Sequence, residues 1–187
     1  PNSFTRDILL ATQLFNNDTI FIFIVHLPSR IGGTESEYKR NYVAKVLSYN
    51  VDSLLKINPL RKILIMGDFN DEPCNISLTD ILKAGCKNIK SNNTYKLLNT
   101  MCLKNYKIGT IKYKGNWYIF DQIIISKELF NSSINSKKYT ETIIYSPEFL
   151  LIPDSKYGGV KPFSTYEGKK YIGGFSDHLP VLIKFCN

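Results

Sequence analysis

The sequence contains few of the residues that build common metal centres and redox sites. Its 187 residues include two histidines, and its four cysteines (Cys74, Cys86, Cys102 and Cys186) form no C-x-x-C pair and have no nearby histidine partner. This spacing argues against a zinc site and against a thioredoxin-like redox pair, and we expect the cysteines to be buried or incidental thiols. No apolar run approaches the roughly 20 residues needed to cross a bilayer. Neither an internal repeat nor a low-complexity tract is present.

The overall composition is ordinary for a globular protein. Hydrophobic residues make up 43% of the chain and charged residues 21%, and a chain of this length is expected to form one domain with a substantial core. The 24 basic and 16 acidic residues leave a net charge of +8, which favours a polyanionic partner. Ordinary surface solvation accounts for the same charge equally well, because many lysines are scattered among asparagines.

Hydrophobic periodicity predicts a mixed α/β (α+β) fold. Strand-like runs at 8–12 and 20–25 flank the turn-forming Asn16-Asn17-Asp18, which suggests a hairpin. A helix is expected to begin at a capping box of Thr34 and Glu37 and to end at Asn58-Pro59. The other predicted elements are a strand at 62–66, a short helix at 77–84 capped by Gly85, a loop at 88–93, strands at 110–113 and 118–126 around a turn at 114–116, and a closing strand at 181–185. The segment 131–175 has no clean periodicity and is expected to be a long loop over the active face.

Polar residues stand at the ends of several predicted strands. Gly67-Asp68-Phe69-Asn70 directly follows one hydrophobic strand, His26 ends another, and Ser176-Asp177-His178 precedes a third. Because strand side chains alternate, Asp68 and Asn70 are expected on one side, where they can hold a water molecule or a metal. Asp121 lies inside an apolar stretch, where an unpaired charge is costly, so it needs a partner such as an imidazole.

Four sequence blocks together resemble one known superfamily. They are His26-Leu27-Pro28-Ser29-Arg30, the block from Gly67 to Pro73, Asp121-Gln122-Ile123 and Ser176-Asp177-His178. Their order and spacing are similar to those of the endonuclease/exonuclease/phosphatase superfamily, which includes DNase I-like nucleases, apurinic endonucleases, inositol-polyphosphate phosphatases and sphingomyelinases. The resemblance covers nearly the whole chain. It implies a DNase I-like two-sheet sandwich flanked by helices, with the active site at one end of the strands.

The chain departs from this pattern at its start. Family members carry an Asn and a metal-binding Glu well upstream of the His block, whereas this chain opens at Pro1 and soon reaches His26. The resemblance therefore implies that residues 1–187 are the C-terminal portion of the domain, without the N-terminal strands and the metal-binding Glu. We expect poor activity of the isolated chain and an uncovered apolar sheet face. A homodimer or a complementing chain would cover that face.

The resemblance also implies catalytic roles. Asp68 would orient and deprotonate the attacking water, and Asn70 would hydrogen-bond that water or a phosphoryl oxygen. His178 would donate to a phosphoryl oxygen, while Asp121 fixes its tautomer and favours its charged form. His26 would protonate the leaving oxygen or contact the phosphate, although a histidine at a strand end can also be merely structural.

Other residues are candidates for binding. Asp177 and Asp68 are the candidate metal ligands, with Mg²⁺ as the expected ion and Mn²⁺ or Ca²⁺ as alternatives. Arg30 can grip a phosphate oxygen as a fork donor, or it can be a solvated loop residue. Trp117 can stack on a base, although filling the core is the favoured interpretation.

Two enzyme classes fit these motifs. The first is a Mg²⁺-dependent nuclease that hydrolyses DNA or RNA phosphodiesters, favoured by the basic charge and the aromatic-rich loops. The second is a phosphatase or phosphodiesterase acting on inositol phosphates or phospholipids. A basic cluster in 131–175 would suit phosphoinositides, and an exposed apolar hairpin there would suit membrane substrates. An inactive fragment or interaction module is a third possibility, and both a secreted and a cytoplasmic location stay open.

Overall fold

Two β-sheets and one long helix dominate the structure, a computed structural model that describes residues 5–15, 18–86, 95–103, 105–134 and 137–186. The helices are α1 (Thr34–Ile57) and the short α2 (Lys127–Asn131). The strands are β1 (Leu9–Phe15), β2 (Asp18–His26), β3 (Lys62–Asp68), β4 (Ala84–Gly85), β5 (Leu97–Asn99), β6 (Ile111–Tyr113), β7 (Asn116–Tyr118), β8 (Asp121–Ser126), β9 (Ser133–Ile134), β10 (Lys137–Ile144), β11 (Leu151–Pro153), β12 (Val160–Pro162), β13 (Tyr166–Glu167), β14 (Lys170–Tyr171) and β15 (Val181–Cys186).

The larger sheet has the strand order β1-β2-β3-β8-β5-β4. Strands β1 and β2 form the predicted antiparallel hairpin, whose turn residues 16–17 lie outside the described residues. Strands β2 and β3 are parallel and are joined through α1, whereas β8 runs antiparallel to β3. The carboxyl ends of β2 and β3 and the amino end of β8 therefore lie side by side at the same end of the sheet.

Hydrophobic side chains alternate between the two faces of this sheet. Along β3, Ile63 and Ile65 pack in the cluster with α1, while Leu64 packs in the cluster on the other face. The helix buries Val43 and Leu47 against the first face, as its periodicity predicts. A sheet covered on both faces has this alternation, because successive strand residues point in opposite directions.

The smaller sheet, in the order β15-β10-β9, covers the second face. Its central strand β10 pairs antiparallel with β15, from Lys138 opposite Cys186 to Ile144 opposite Val181. The prediction of one long loop over 131–175 is therefore wrong, because that segment contains β10 and two short hairpins, β11–β12 and β13–β14. The strand predicted at 181–185 closes this second sheet and does not join the larger one.

Several local predictions also need correction. Helix α1 begins after Gly33 and no side chain caps it, so the capping box of Thr34 and Glu37 is not formed. Residues 77–81 form a short π-helical turn, and Gly85 belongs to β4 instead of capping a helix. The predicted strand 118–126 is divided into β7 and β8. The predicted loop at 88–93 lies outside the described residues.

The cysteines differ from expectation. Cys86 and Cys102 form a disulfide bond, and Cys74 and Cys186 are free and exposed, so the expectation of buried or incidental thiols is wrong for the disulfide pair. The bonded cysteines are sixteen positions apart in the sequence, and the fold brings them together through the neighbouring strands β4 and β5.

An apolar surface lies along one edge of the larger sheet. Strand β1 is the edge strand there, and its Leu9, Leu10 and Leu14 are exposed. Coverage of this surface by a second copy or a complementing chain stays a prediction. In the described part of the chain, no helix is both long enough and apolar enough to cross a membrane.

Candidate active site

Three polar residues form a row across neighbouring strands of the larger sheet, at one end of those strands. His26 ends β2, Asp68 ends β3 and Asp121 begins β8, and their backbones pair in the register His26 to Asp68 to Asp121. Residues in direct register project from the same face of a sheet. Met66 packs beneath the smaller sheet, and Asp68, two positions later in β3, points to the same face of the larger sheet. All three side chains of the row therefore lie on the face that the smaller sheet covers.

The row depends on a glycine that precedes Asp68. Gly67 has φ of 139°, and a Cβ atom at this position would lie 1.9 Å from the carbonyl oxygen of Val25 on β2. No side chain fits in that space, and the backbone conformation is one that glycine adopts far more readily than other residues. Gly67 therefore lets β3 approach β2 closely where His26 and Asp68 meet.

His178 joins the row from the segment that precedes β15. Its Nδ1 atom lies 2.6 Å from Oδ2 of Asp121, and its backbone N–H donates to Oγ of Ser176 at 3.0 Å. Asp68, Asp121 and His178 each offer one possible metal-ligand atom, and these three atoms lie within 4.8 Å of one another. The predicted partnership of Asp121 with an imidazole is thus present in the structure.

Asn70 fixes the carboxylate of Asp68. Its backbone N–H donates to Oδ1 of Asp68 at 2.7 Å, and its side-chain Nδ2 donates to Oδ2 at 3.0 Å and to the carbonyl of Leu27 at 2.9 Å. Nε2 of His26 lies 3.4 Å from Oδ2 of the same carboxylate. Asn70 and Asp68 are together, as predicted, and Asn70 adopts a left-handed backbone with φ of 50° to reach back.

The pKa of Asp68 is raised above its ordinary value, mainly by burial. Burial of the carboxyl group is the largest effect and raises its pKa, and the charge of Asp121 raises it further. The backbone hydrogen bond from Asn70 and the charges of the two histidines lower it without cancelling the increase. Asp68 therefore accepts a proton more readily than an exposed aspartate does.

The pKa of His178 is also raised. Burial is the largest single influence and lowers it, but the hydrogen bond and charge of Asp121, with the charges of Asp68 and Asp177, outweigh burial. The imidazole therefore keeps its second proton to a higher pH than an exposed histidine does. A proton acceptor and a proton-bearing donor thus stand side by side.

Arg30 lies beside the row, but it binds protein groups. Its Nε donates to the carbonyl of Asn70 at 2.9 Å, and its Nη2 donates to Asn75 at 2.8 Å and Asp71 at 3.2 Å. The guanidinium also lies over the ring of Phe120, 4.8 Å from its centre. These contacts tie together the loops that follow β2 and β3, and a phosphate contact by Arg30 stays a prediction.

Two buried residues that sequence reasoning missed support the site. Oγ1 of Thr110 accepts hydrogen bonds from the backbone N–H groups of Phe120 and Asp121, at 3.1 Å each, while its carbonyl accepts from Leu179 at 2.7 Å. Arg40 is buried with Nε 2.9 Å from Asp71. No local sequence signal marks either residue, because their partners are distant in the chain.

Asp177 and Trp117 lie at the margins of the site. Asp177 is exposed and is outside the group of donor atoms that lie within 4.8 Å of one another, although its charge acts on His178. Trp117 is half-buried and packs against the cluster of Met101, Ile144 and Leu179. This packing agrees with a core-filling role, and a base contact by Trp117 stays a prediction.

Solved structures share this architecture. A humanized TDP2 from D. rerio matches with a TM-score of 0.56 and 13% identity over 96% of this chain and 60% of that one. A mannosyl-6-phosphatase from Bacteroides thetaiotaomicron matches at 0.51 and 14% over 91% and 51%, and beta toxin from Staphylococcus aureus at 0.51 and 18% over 95% and 56%. At these identities the matches show the fold alone, and the chain spans between half and three fifths of each structure.

No curated protein sequence gives a significant match. The model of the endonuclease/exonuclease/phosphatase family, however, matches residues 1–187, which is the entire chain. Members of that family are hydrolases acting on phosphate esters and are generally dependent on a divalent metal. The fold, the row of carboxylates and imidazoles and this match agree, and the chain belongs to the endonuclease/exonuclease/phosphatase family.

Proposed function

We propose that the protein is a divalent-metal-dependent nuclease that hydrolyses phosphodiester bonds of DNA or RNA. The observation that carries the proposal is the row of His26, Asp68, Asp121 and His178 at one end of the strands. In this row, Nδ1 of His178 lies 2.6 Å from Oδ2 of Asp121. Hydrolysis of a phosphate ester needs a water aimed at phosphorus, charge stabilisation on the phosphoryl oxygens and a proton for the departing oxygen.

The row contains a residue for each of these three requirements. Asp68 accepts the proton of the attacking water, a task that its raised pKa favours. His178, held by Asp121 through Nδ1, presents Nε2 to a phosphoryl oxygen. The P–O bond to the leaving group breaks as the new P–O bond forms, and His26 supplies a proton to the departing oxygen. Nearly half of the His26 side chain is exposed, so a substrate can reach it.

The donor atoms on this face fit a hard divalent cation. Asp68 and Asp121 offer carboxylate oxygens in the row, and Asp177 offers one at its margin. Carboxylate oxygen is the ligand type that Mg²⁺ prefers, and water completes such sites. Asp68 and Asp177 are the residues that would hold Mg²⁺, with Mn²⁺ and Ca²⁺ as alternatives. When bound, the ion adds positive charge at the phosphoryl oxygens.

The net charge favours a polyanionic substrate such as a nucleic acid strand. A charge of +8 attracts a strand that carries one negative charge per nucleotide and speeds its encounter with the protein. A phosphatase acting on inositol phosphates or phospholipids would use the same row, and that function is the second candidate.

The test is nicking of supercoiled plasmid by the purified natural full-length protein, with Mg²⁺ and with chelator. We expect metal-dependent nicking that is lost in Asp68→Asn and kept in Asp80→Asn, which changes an exposed aspartate on the π-helical turn. An intact plasmid with folded protein would contradict the nuclease proposal. Phosphate release from inositol phosphates or phospholipids would then support the second candidate.

A further inference from the structure

Two exposed phenylalanines and one half-buried phenylalanine form a cluster beside residues 176–178, the segment that carries Asp177 and His178. The ring of Phe175 meets the ring of Phe149 edge to face with centres 5.8 Å apart, and it meets the ring of Phe163 in the same way at 6.1 Å. Phe175 is 62% exposed and Phe149 is 59% exposed. These residues are called the Phe cluster below. Large apolar side chains that gather in the open are typical of a binding surface.

The backbone beneath the Phe cluster is firmly held. The carbonyl of Phe163 accepts hydrogen bonds from the N–H groups of Phe175 at 2.7 Å and Ser176 at 3.2 Å, and the N–H of Phe163 donates to Leu150 at 2.8 Å. Oγ1 of Thr165 donates to the carbonyl of Phe175 at 2.9 Å. The rings therefore stand on a fixed platform, and a ligand would meet them with little ordering cost.

A glycine makes this platform possible. A Cβ atom at Gly174 would lie 2.2 Å from the carbonyl oxygen of Phe163 and 2.3 Å from that of Ser164. Because glycine has no Cβ atom, the backbone at 174–176 can lie directly against the end of hairpin β11–β12. The N–H of Gly174 donates to the carbonyl of Ser164 at 3.1 Å in the same contact.

The Phe cluster is close to the reacting groups. Phe175 precedes His178 by three residues, which span at most about 10 Å when extended. The hydrogen bond from the N–H of His178 to Oγ of Ser176 tightens this connection into a turn. A substrate whose phosphate reaches His178 would have its neighbouring group within reach of Phe175.

The chemistry around the Phe cluster distinguishes among ligands. The tip of hairpin β11–β12 contains exposed Ser155, Lys156 and Tyr157, and the tip of hairpin β13–β14 contains exposed Gly168 and Lys169. The first tip is also tethered, because Lys112 of β6 lies 2.9 Å from Asp154 and both side chains are buried. The lysine at each tip disfavours insertion into the apolar interior of a bilayer, whereas lysines near exposed rings suit a charged strand carrying planar bases.

We propose that the Phe cluster is a stacking surface for a nucleobase adjacent to the phosphodiester that is hydrolysed, with Phe175 as the principal contact. The proposal rests on the proposed nuclease function and names the substrate feature that the site recognises. Stacking on aromatic rings is tolerant of base identity, because every base offers a planar face. The enzyme therefore prefers strands that carry bases over strands that carry phosphates alone.

The test compares two fluorescent single-stranded oligonucleotides of equal length, one with bases and one fully abasic, bound by the natural full-length protein in chelator. We expect the protein to bind the base-containing strand about tenfold more tightly. Phe175→Leu should abolish this preference without changing affinity for the abasic strand, and Phe175→Trp should keep it. Tyr49→Leu, at an exposed aromatic residue on α1, is the matched control and should behave as wild type.

The outcomes separate this inference from the proposed function. Equal binding of both strands by a protein that nicks plasmid would overturn the inference alone, and so would an equal loss of affinity for both strands in Phe175→Leu. Binding of neither strand, with no nicking, would overturn both. Vesicle binding that Phe175→Leu abolishes, with no preference between strands, would overturn the stacking surface in favour of a membrane contact. Thermal melting verifies that Phe175→Leu is folded.

Discussion

The two histidines of the site stand at opposite ends of one row and are held in very different ways. His178 has 22% of its side chain exposed and lies 2.6 Å from Asp121, whereas His26 has 47% exposed and lies 3.4 Å from Asp68. The pair at the β8 end is therefore fixed, and His26 at the β2 end is open to solvent. We infer that His178 is organised before substrate binds and that His26 becomes organised with the substrate.

Asp68 lies between these two ends and serves both. Its Oδ2 faces His26, and its charge acts on His178. A change at Asp68 should therefore disturb the whole row, whereas a change at either histidine should disturb one end. Variants at Asp68, His178 and His26 therefore separate the two ends by the size of their effects.

Removing the charge of Asp68 should have the largest effect. Asp68→Asn keeps the size of the side chain but loses the proton acceptor, and we expect the rate of phosphodiester hydrolysis to fall about 10³- to 10⁴-fold. The measurement is the turnover rate with Mg²⁺ on a short oligonucleotide. Asp80→Asn is the control, and a fall of similar size in that variant would contradict the assignment.

Removing the imidazole of His178 should have the next largest effect. His178→Gln retains one polar group but loses the charged donor held by Asp121, and we expect the rate to fall about 10²- to 10³-fold. The fall should be in kcat more than in KM, because the donor acts where charge develops. A change confined to KM would assign His178 to ground-state binding instead.

Removing the imidazole of His26 should have a smaller effect. We expect His26→Gln to reduce the rate by about a hundredfold at most, since this group is exposed and loosely held before substrate binds. A substrate with a leaving group that needs no proton should show a smaller loss still. A loss as large as that of Asp68→Asn would remove the distinction between the two ends.

Titration of the metal-free protein tests how Asp121 acts on His178. Nuclear magnetic resonance of the imidazole should show a pKa above the ordinary histidine value, and Asp121→Asn should lower it, because the hydrogen bond and the negative charge are lost. A raised folded-state pKa stabilises the fold at low pH, and this contribution disappears as pH rises through that pKa. An unchanged pKa in Asp121→Asn would contradict the account.

Loss of the Thr110 hydroxyl should mainly affect stability. Thr110→Val leaves the buried N–H groups of Phe120 and Asp121 without their acceptor, and we expect the free energy of unfolding to fall by about 1–3 kcal/mol. Urea denaturation measures this change. Thr79→Val on the half-buried π-helical turn is a control, and an equal loss there would show that Thr110 has no special part in holding the β8 end.

Sequence patterns predicted the parts of the site that depend on local rules. His26 and Asp68 stand where predicted strands end, and alternation along a strand follows from residue spacing alone. Asp121 was predicted to need a partner because its charge lies in an apolar stretch. The register that aligns them across three strands depends on which strands are parallel, and local spacing does not contain that information. The same reason explains why Thr110 and Arg40 were missed, since their partners lie far away in the chain.

The smaller sheet and the disulfide were not predicted for related reasons. Strand β10 has an irregular register against β15 between Tyr139 and Glu141, which obscures its alternation in the sequence. Cys86 and Cys102 meet because β4 and β5 are neighbours in the larger sheet, and no spacing rule connects two cysteines sixteen residues apart.

A double-mutant cycle on Asp121 and His178 tests the central claim most directly. The rates of Mg²⁺-dependent phosphodiester hydrolysis are measured for wild type, Asp121→Asn, His178→Gln and the double variant. Because the two side chains act as one unit through their 2.6 Å contact, the double variant should be no slower than His178→Gln. Multiplicative losses in the double variant would show that the two residues act independently, and they would contradict the account of a fixed catalytic pair.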